Sequence, residues 1–392
     1  MRYTGTVVRG IRTPIIRNGD NLAEIVVNSV VEAAKGEGFK LKNGDIVGVT
    51  EAVVSISQGN YVSGDDVSLD IKKKFPAKEI GLVFPILSRN RFSLILESIA
   101  RVFDKVHVLL SYPSDEVGNH LMNPDDMDSV GLNPYTDTFG ERKYRKLFGD
   151  EVKHEFTGID YVSYYKSLGK GNIEVHFAND PVTILDFCKN VLVCSIHSRV
   201  RDKRLIKNAG AKIVYGLEDI CSNKSTEHGY NQEYGLLGSN KVSENRLKLF
   251  PKNGDIFVNK VQKTFKKVTG KNVEVLIYGD GAFKDPVGKI WELADPVVSP
   301  GFTKGLKGRP KEVKLKYISE NWNGKGNLNK YAKEMIQEKN TQKYKVERSL
   351  GTTPRQITDL LGSLCDLTSG SGDKGTPVVL IQGYFDDYTV EE

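Results

Sequence analysis

Thr353-Pro354-Arg355-Gln356, then Ile357, Leu360, Leu361, Leu364 and Leu367, then Gly370-Ser371-Gly372-Asp373-Lys374-Gly375, then Pro377-Val378-Val379-Leu380-Ile381: in that order the stretch predicts a helix, a glycine-rich loop and a strand. Threonine followed by proline and a glutamine three residues on is an N-cap, a first-turn proline and a capping box. The leucines recur at helical spacing. The apolar run after the loop reads as a buried strand. The loop matches the spacing of a dinucleotide fingerprint, but that fingerprint needs a strand before it and a helix after it. The reversed order argues against a Rossmann cofactor site. Two readings stay open: a nest of backbone N–H groups with Lys374 holding phosphates, or a flexible turn.

Outward from this stretch, 392 residues are enough for two or three domains with their own cores. A hydrophobic content of 39% and a charged content of 27% are those of an ordinary soluble globular chain. The longest apolar runs are far too short to span a bilayer, and the first residues lack the apolar centre of a signal peptide. Cys188, Cys194, Cys221 and Cys365 make no CxxC pair or metal-like spacing and are expected to be buried free thiols. The expected location is cytoplasmic. The net charge of +6 is unevenly placed: residues 303–350 hold thirteen Lys or Arg against five Glu. That basic stretch reads as a nucleic-acid patch, as a basic flap over an anionic substrate, or as a solvated loop and charged helix face. Few aromatics interleave the lysines, so nucleic acid is not the expected partner.

Along the chain, residues 3–8 alternate like a strand. Leu22, Ile25, Val26, Ser29, Val30 and Ala33 give one face of a helix opened by Asp20 or Asn21. Asn43-Gly44-Asp45 turns the chain into an apolar strand over residues 46–54. Residues 80–86, 91–103 and 105–111 form a strand–helix–strand unit, and residues 173–215 a second alternating series. Such alternation implies a parallel sheet covered on both faces. A loop-rich stretch over residues 112–170 separates the two. Asp125 and Asp126, after Asn123-Pro124, read as a helix start. Asp115, Glu116 and His120 read either as metal ligands or as a cap and an exposed helical pair. His197 and the Asn179-Asp180-Pro181 turn stand at strand ends, where ligand crevices form. Residues 273–278 form a strand that ends in Gly279-Asp280-Gly281, followed by Asp285. Asp280 and Asp285 read either as ligands of a phosphate-bound metal or as turn caps.

These segments resemble, in order, the gamma-glutamyl ligases that add glutamate to a deazaflavin coenzyme. Gly10-Ile11-Arg12-Thr13-Pro14 through Leu22 is similar to the family's opening loop and first helix. Residues 43–55 are similar to its next strand. Gly238-Ser239-Asn240, Leu249-Phe250-Pro251 and Ile277-Tyr278-Gly279-Asp280 resemble its Ser-Asn, Leu-Leu-Pro and strand-end Asp motifs, and residues 357–380 its closing helix, loop and strand. The resemblance implies an α/β protein: an α+β ligase-like core, residues 1–75 and 231–392, carrying an inserted parallel-sheet α/β domain over 76–230 and the basic insertion over 303–350. It implies an amide ligase that joins an amino acid to a small-molecule carboxylate through an acyl phosphate, with GTP (or ATP) as co-substrate, Mg²⁺ or Mn²⁺ as cofactor, and a homodimer. Gly10, Ile11, Arg12, Thr13, Ser239, Asn240 and Gly370, Ser371, Gly372, Asp373 and Lys374 would contact the nucleotide. Asp280 would hold a metal, with Glu51, Asp285 and Glu233 as further acidic candidates.

The chain departs from the family at four points, one of them Ser371, where a metal-binding Gln or Lys is frequent. Leu237 stands where an Asp is usual, and Ala52 and Ile56 where lysines are usual. Leucine cannot ligate a metal. The second expectation is therefore a non-catalytic relative that binds a nucleotide or metabolite.

Overall fold

The structure, a computed structural model, describes residues 4–279, 282–284, 291–293, 301–308, 315–338, 356–369 and 375–386. The chain divides into two compact units. The first comprises Met1–Ser57, Asn253–Gly281 and Val297–Glu392, and the second Gln58–Lys252 and Ala282–Pro296. The divisions fall at 57/58 and 252/253, where the expected boundaries were 75/76 and 230/231. The reason is strand pairing: Tyr61–Ser63 joins a small antiparallel sheet with Arg246–Lys248 and Asn240–Ser243.

The first unit is built on a four-stranded sheet in the order Val7–Ile11, Val378–Gln382, Ile46–Thr50, Glu274–Tyr278. One face carries Val47, Val49, Val275, Ile277, Val378 and Leu380, packed on helices Leu22–Gly36 and Gly254–Thr269. Alternate residues Ile46, Leu276, Tyr278, Val379 and Ile381 face helix Ile357–Ser369 through Ile357, Leu361 and Cys365. The strands are apolar on successive residues because both faces are covered. The helix–loop–strand order read at the C-terminus is therefore the fold's own. Thr353 to Arg355, its expected capping residues, lie outside the described residues.

Gly48 marks the closest approach of helix to sheet. A Cβ there would stand 2.4 Å from Cys365 Sγ and 3.3 Å from the Tyr278 ring. Gly48→Ala is expected to lower stability by about 2 kcal/mol through overpacking, read as a fall in the urea midpoint at unchanged slope.

One expected strand is shorter than its apolar run. The strand over 46–54 stops at Thr50, and Glu51–Gln58 is a helix. Short apolar runs do not separate strand from helix by periodicity, and here Val54 and Ser55 are buried from a helical face.

The second unit is a six-stranded sheet in the order Phe139–Gly140, Ile173–Phe177, Lys105–Leu110, Glu79–Val83, Asn190–Val193, Ile213–Gly216. All but the first are parallel. The chain starts at the central Glu79–Val83, winds outward on one side and returns on the other, which is a doubly wound topology. The loop-rich stretch over 112–170 holds short helices, among them Pro124–Ser129, the expected helix start, which Asn123 caps by accepting from the Asp125 N–H. The four cysteines are buried and free. No described helix is long and apolar enough to cross a membrane. Within the basic stretch, Leu315–Asn321 and Leu328–Glu338 are helices.

Candidate functional site

Strand direction gathers several of the singled-out residues of the first unit at one end of its sheet. Val7–Ile11 and Ile46–Thr50 both run antiparallel to Val378–Gln382, and Glu274–Tyr278 runs parallel to Ile46–Thr50. Three strands therefore end where the fourth begins. Ile11, Val378, Val49 and Ile277 form one row across the sheet. Just beyond it come Arg12 and Thr13, the loop ahead of Val378, Glu51, and the segment after Tyr278.

Gly10, exposed at this end, is fitted to its neighbour. A Cβ there would come within 3.0 Å of Thr376, the residue after the glycine-rich loop. Thr376 Oγ1 donates across the base of that loop to the Ser369 carbonyl at 3.4 Å, and the Thr50 N–H donates to the Pro377 carbonyl at 3.0 Å. The first bond ties the end of the helix to Thr376, and the second ties Pro377 to the sheet. Arg12 is exposed. Thr13 turns its hydroxyl to the Pro14 carbonyl. Gly370, Ser371, Gly372, Asp373, Lys374, Asp280 and Asp285 lie outside the described residues.

Of the acidic candidates among the described residues, Glu51 is the one at this sheet end. It directly follows the Ile46–Thr50 strand, is 6% exposed, and opens the helix Glu51–Gln58. A helix start presents free N–H groups and positive potential, which stabilise a carboxylate or a phosphate. A buried carboxylate and first-turn N–H groups, beside the residues that flank the glycine-rich stretch, are groups of the kind that suit a phosphate or a divalent cation.

The remaining residues sit in the second unit. Ser239 is buried, and its hydroxyl donates to the Leu236 carbonyl at 2.8 Å. Asn240 is exposed on the Asn240–Ser243 strand. Leu237 lies in the main hydrophobic core, and its carbonyl accepts from Arg91 at 2.7 Å. Glu233 is exposed. Asn231 is a bracket: it donates to the Phe250 and Pro251 carbonyls and accepts from the N–H groups of Glu233 and Tyr234. Asn60 holds the same loop from the other side. Lys252, which the sequence reading passed over, follows this Leu-Phe-Pro motif with its ammonium 5.1 Å from the Tyr230 ring centre. Burial lowers its pKa. Its position after the motif was the only available signal.

Asp115 and Glu116 are not arranged around a metal. Asp115 accepts from the N–H groups of Leu87, Val117 and Asn119. Glu116 accepts from those of Ile196, His197 and Ser198. Asn179 brackets Tyr112 and Pro134, and Asp180 caps the turn of 3₁₀ helix Pro181–Asp186.

The model of the F420-0:gamma-glutamyl ligase family matches residues 10–383. The chain belongs to that family. Its relatives include coenzyme F420:L-glutamate ligase of Methanocaldococcus jannaschii, 28% identical over 162 residues, which is 40% of this chain and 49% of the relative. An uncharacterized protein of the same organism is 30% identical over 111 residues, 28% of this chain and 34% of that protein. The chain thus matches about half or less of the length of these curated relatives.

Proposed function

We propose that this protein is a nucleotide- and divalent-metal-dependent amide ligase that adds glutamate to a carboxylate-bearing small molecule of the deazaflavin-coenzyme type. The observation that carries the reading is the convergence of Gly10 to Thr13, Glu51 and the base of the glycine-rich loop at one end of the first unit's sheet. In this chemistry the γ-phosphoryl group of GTP (or ATP) passes to the acceptor carboxylate. The glutamate amine then attacks the acyl carbon, and inorganic phosphate leaves. Catalysis of such transfers is mainly positioning and charge stabilisation.

The buried Glu51 carboxylate suits a hard cation, and Glu51 with Asp280 would hold the Mg²⁺ or Mn²⁺. When bound, the ion would offset negative charge on the phosphate oxygens. Gly10 lets the backbone approach the nucleotide, the first turn of Glu51–Gln58 directs N–H groups to it, and Arg12 adds a positive charge. The proposed assembly is a homodimer, as the family resemblance implies.

Thermal melting with GTP or ATP, each with and without Mn²⁺ or Mg²⁺, tests the reading, because a ligand of the native state raises the midpoint by mass action. The expected result is a metal-dependent rise with one nucleotide, and glutamate-dependent phosphate release once a deazaflavin carboxylate is supplied. No rise with either nucleotide would overturn it. A rise without any glutamate-dependent turnover would favour the second reading, a non-catalytic nucleotide-binding relative. The burial of Leu237 at a position where the resembled family usually has Asp supports that alternative.

A further inference from the structure

The strands Lys105–Leu110 and Ile173–Phe177 lie side by side with His107 opposite Glu174 and Leu109 opposite His176. Val106, Val108, Leu110, Ile173, Val175 and Phe177 enter the main core on one face of the sheet. The alternate residues His107, Glu174 and His176 share the other face, as the two-residue period requires. His107 is 3% exposed and His176 9%. His107 Nδ1 is 3.2 Å from His176 Nε2 and 3.5 Å from Glu174 Oε2, and His176 Nε2 is 4.0 Å from that same oxygen. The Phe187 ring stacks on His176 with centroids 3.7 Å apart and is 5.7 Å from His107.

Hydrogen bonding alone leaves this arrangement short of protons. Two neutral imidazoles share one N–H between the facing nitrogens, while the carboxylate oxygen beside them is a further acceptor. Burial lowers the pKa of both rings, that of His176 to about 4, with Lys105 adding to the effect and Glu174 opposing it. Zinc bound at about 2.0–2.1 Å to tetrahedral nitrogen donors places those donors about 3.3 Å apart. The observed separations bracket that spacing.

We propose that His107, Glu174 and His176 form a site for a divalent transition-metal ion of the zinc type. Lys105 Nζ bonds the other oxygen of Glu174, Oε1, at 2.9 Å, which leaves Oε2 turned toward the rings and fixes the carboxylate. Glu174 is half exposed, so water from that side completes the coordination. Imidazole donors select zinc, cobalt, nickel or copper over magnesium. The site lies in the second unit and shares no residue with the proposed ligase site, so each can fail without the other.

Cobalt is the probe, because four-coordinate Co²⁺ absorbs in the visible. The full-length chain, freed of metal by a chelator that is then removed, is titrated with Co²⁺ and back-titrated with Zn²⁺. The expected result is one equivalent of Co²⁺ bound with a tetrahedral-type spectrum, displaced by Zn²⁺ and unaffected by excess Mg²⁺. His176→Gln and Glu174→Gln should each weaken binding at least about 10-fold. Glu174 is exposed enough that its variant keeps the fold if His176→Gln does not. Wild-type binding no tighter than that of Glu174→Gln would overturn the proposal and leave a neutral His–His hydrogen bond only.

Discussion

Glu51→Gln is expected to lower glutamate ligation by about 10²–10³-fold and to abolish the metal-dependent part of nucleotide stabilisation. Thr50 and Tyr278 are in register at the ends of neighbouring parallel strands. Glu51 comes one residue after the first and Asp280 two after the second. A carboxylate that directly follows a strand end, beside the strand whose sequence continues to Asp280, is what the proposed metal role of Glu51 rests on. Glutamine keeps the volume and the helix start but removes the charge. A full charge a few ångströms from a cation is worth several kcal/mol even at an effective dielectric constant near 20, so the loss should fall on turnover. The apo melting midpoint is measured beside it, because Glu51 is only 6% exposed and a structural contribution would appear there. If Glu51→Gln ligates glutamate like wild type while Asp280→Asn does not, Glu51 is a helix-start residue and no more. If both variants keep full activity, the sheet end is the wrong site.

The features legible in the sequence were those with a local period. The closing helix and strand, the strand–helix alternation after residue 79 and the helix start after Asn123-Pro124 all follow from side chains placed within one element. Tertiary placement hid the rest. Nothing in residues 46–54 says that the strand gives way to a helix at Glu51, because Val53, Val54 and Ser55 suit either element. The doubly wound order depends on which strands pair, as does the meeting of His107 with Glu174 and His176 from segments more than sixty positions apart. Leu237 was recognised as unable to ligate a metal from its chemistry alone, but its place in the second unit's core was not. The tempting Asp115-Glu116 pair failed as a metal site for a specific reason. A carboxylate among loops has backbone N–H groups as competitors for its lone pairs, and sequence does not show where those groups point.

Asp115→Ala is accordingly expected to destabilise the second unit by about 3 kcal/mol or more. The Asp115 carboxylate is 7% exposed and joins two loops at the C-terminal edge of the six-stranded sheet. Leu87, after the first strand, donates at 2.8 Å; Val117 and Asn119, after the second, donate from their backbones at 3.1 and 2.9 Å; and the Asn119 side chain adds a fourth bond at 2.8 Å. Burial pushes this carboxyl above its ordinary pKa, and the four donated bonds oppose that rise. All four neighbours are donors, so they match the ionised form and offer a protonated carboxyl no acceptor. Alanine leaves these N–H groups without a protein partner, each at about 1 kcal/mol or more. The adjacent Glu116 supplies an internal comparison, since it holds a different loop through Ile196, His197 and Ser198. Hydrogen exchange separates the two. Asp115→Ala should speed exchange at Leu87, Val117 and Asn119 by about 100-fold, consistent with the lost free energy. Glu116→Ala should act first on Ile196 to Ser198. Equal acceleration of both sets by either variant would show one cooperative unit in place of two separate ties. Unchanged exchange in Asp115→Ala would mean that water replaces the carboxylate at no cost. Doubly wound sheets take ligands at this edge, beside the strands where the winding reverses. In this chain the three successive N–H groups of Ile196, His197 and Ser198, just ahead of the helix Arg199–Asn208, already hold the Glu116 carboxylate, while Asp115 ties the neighbouring loop.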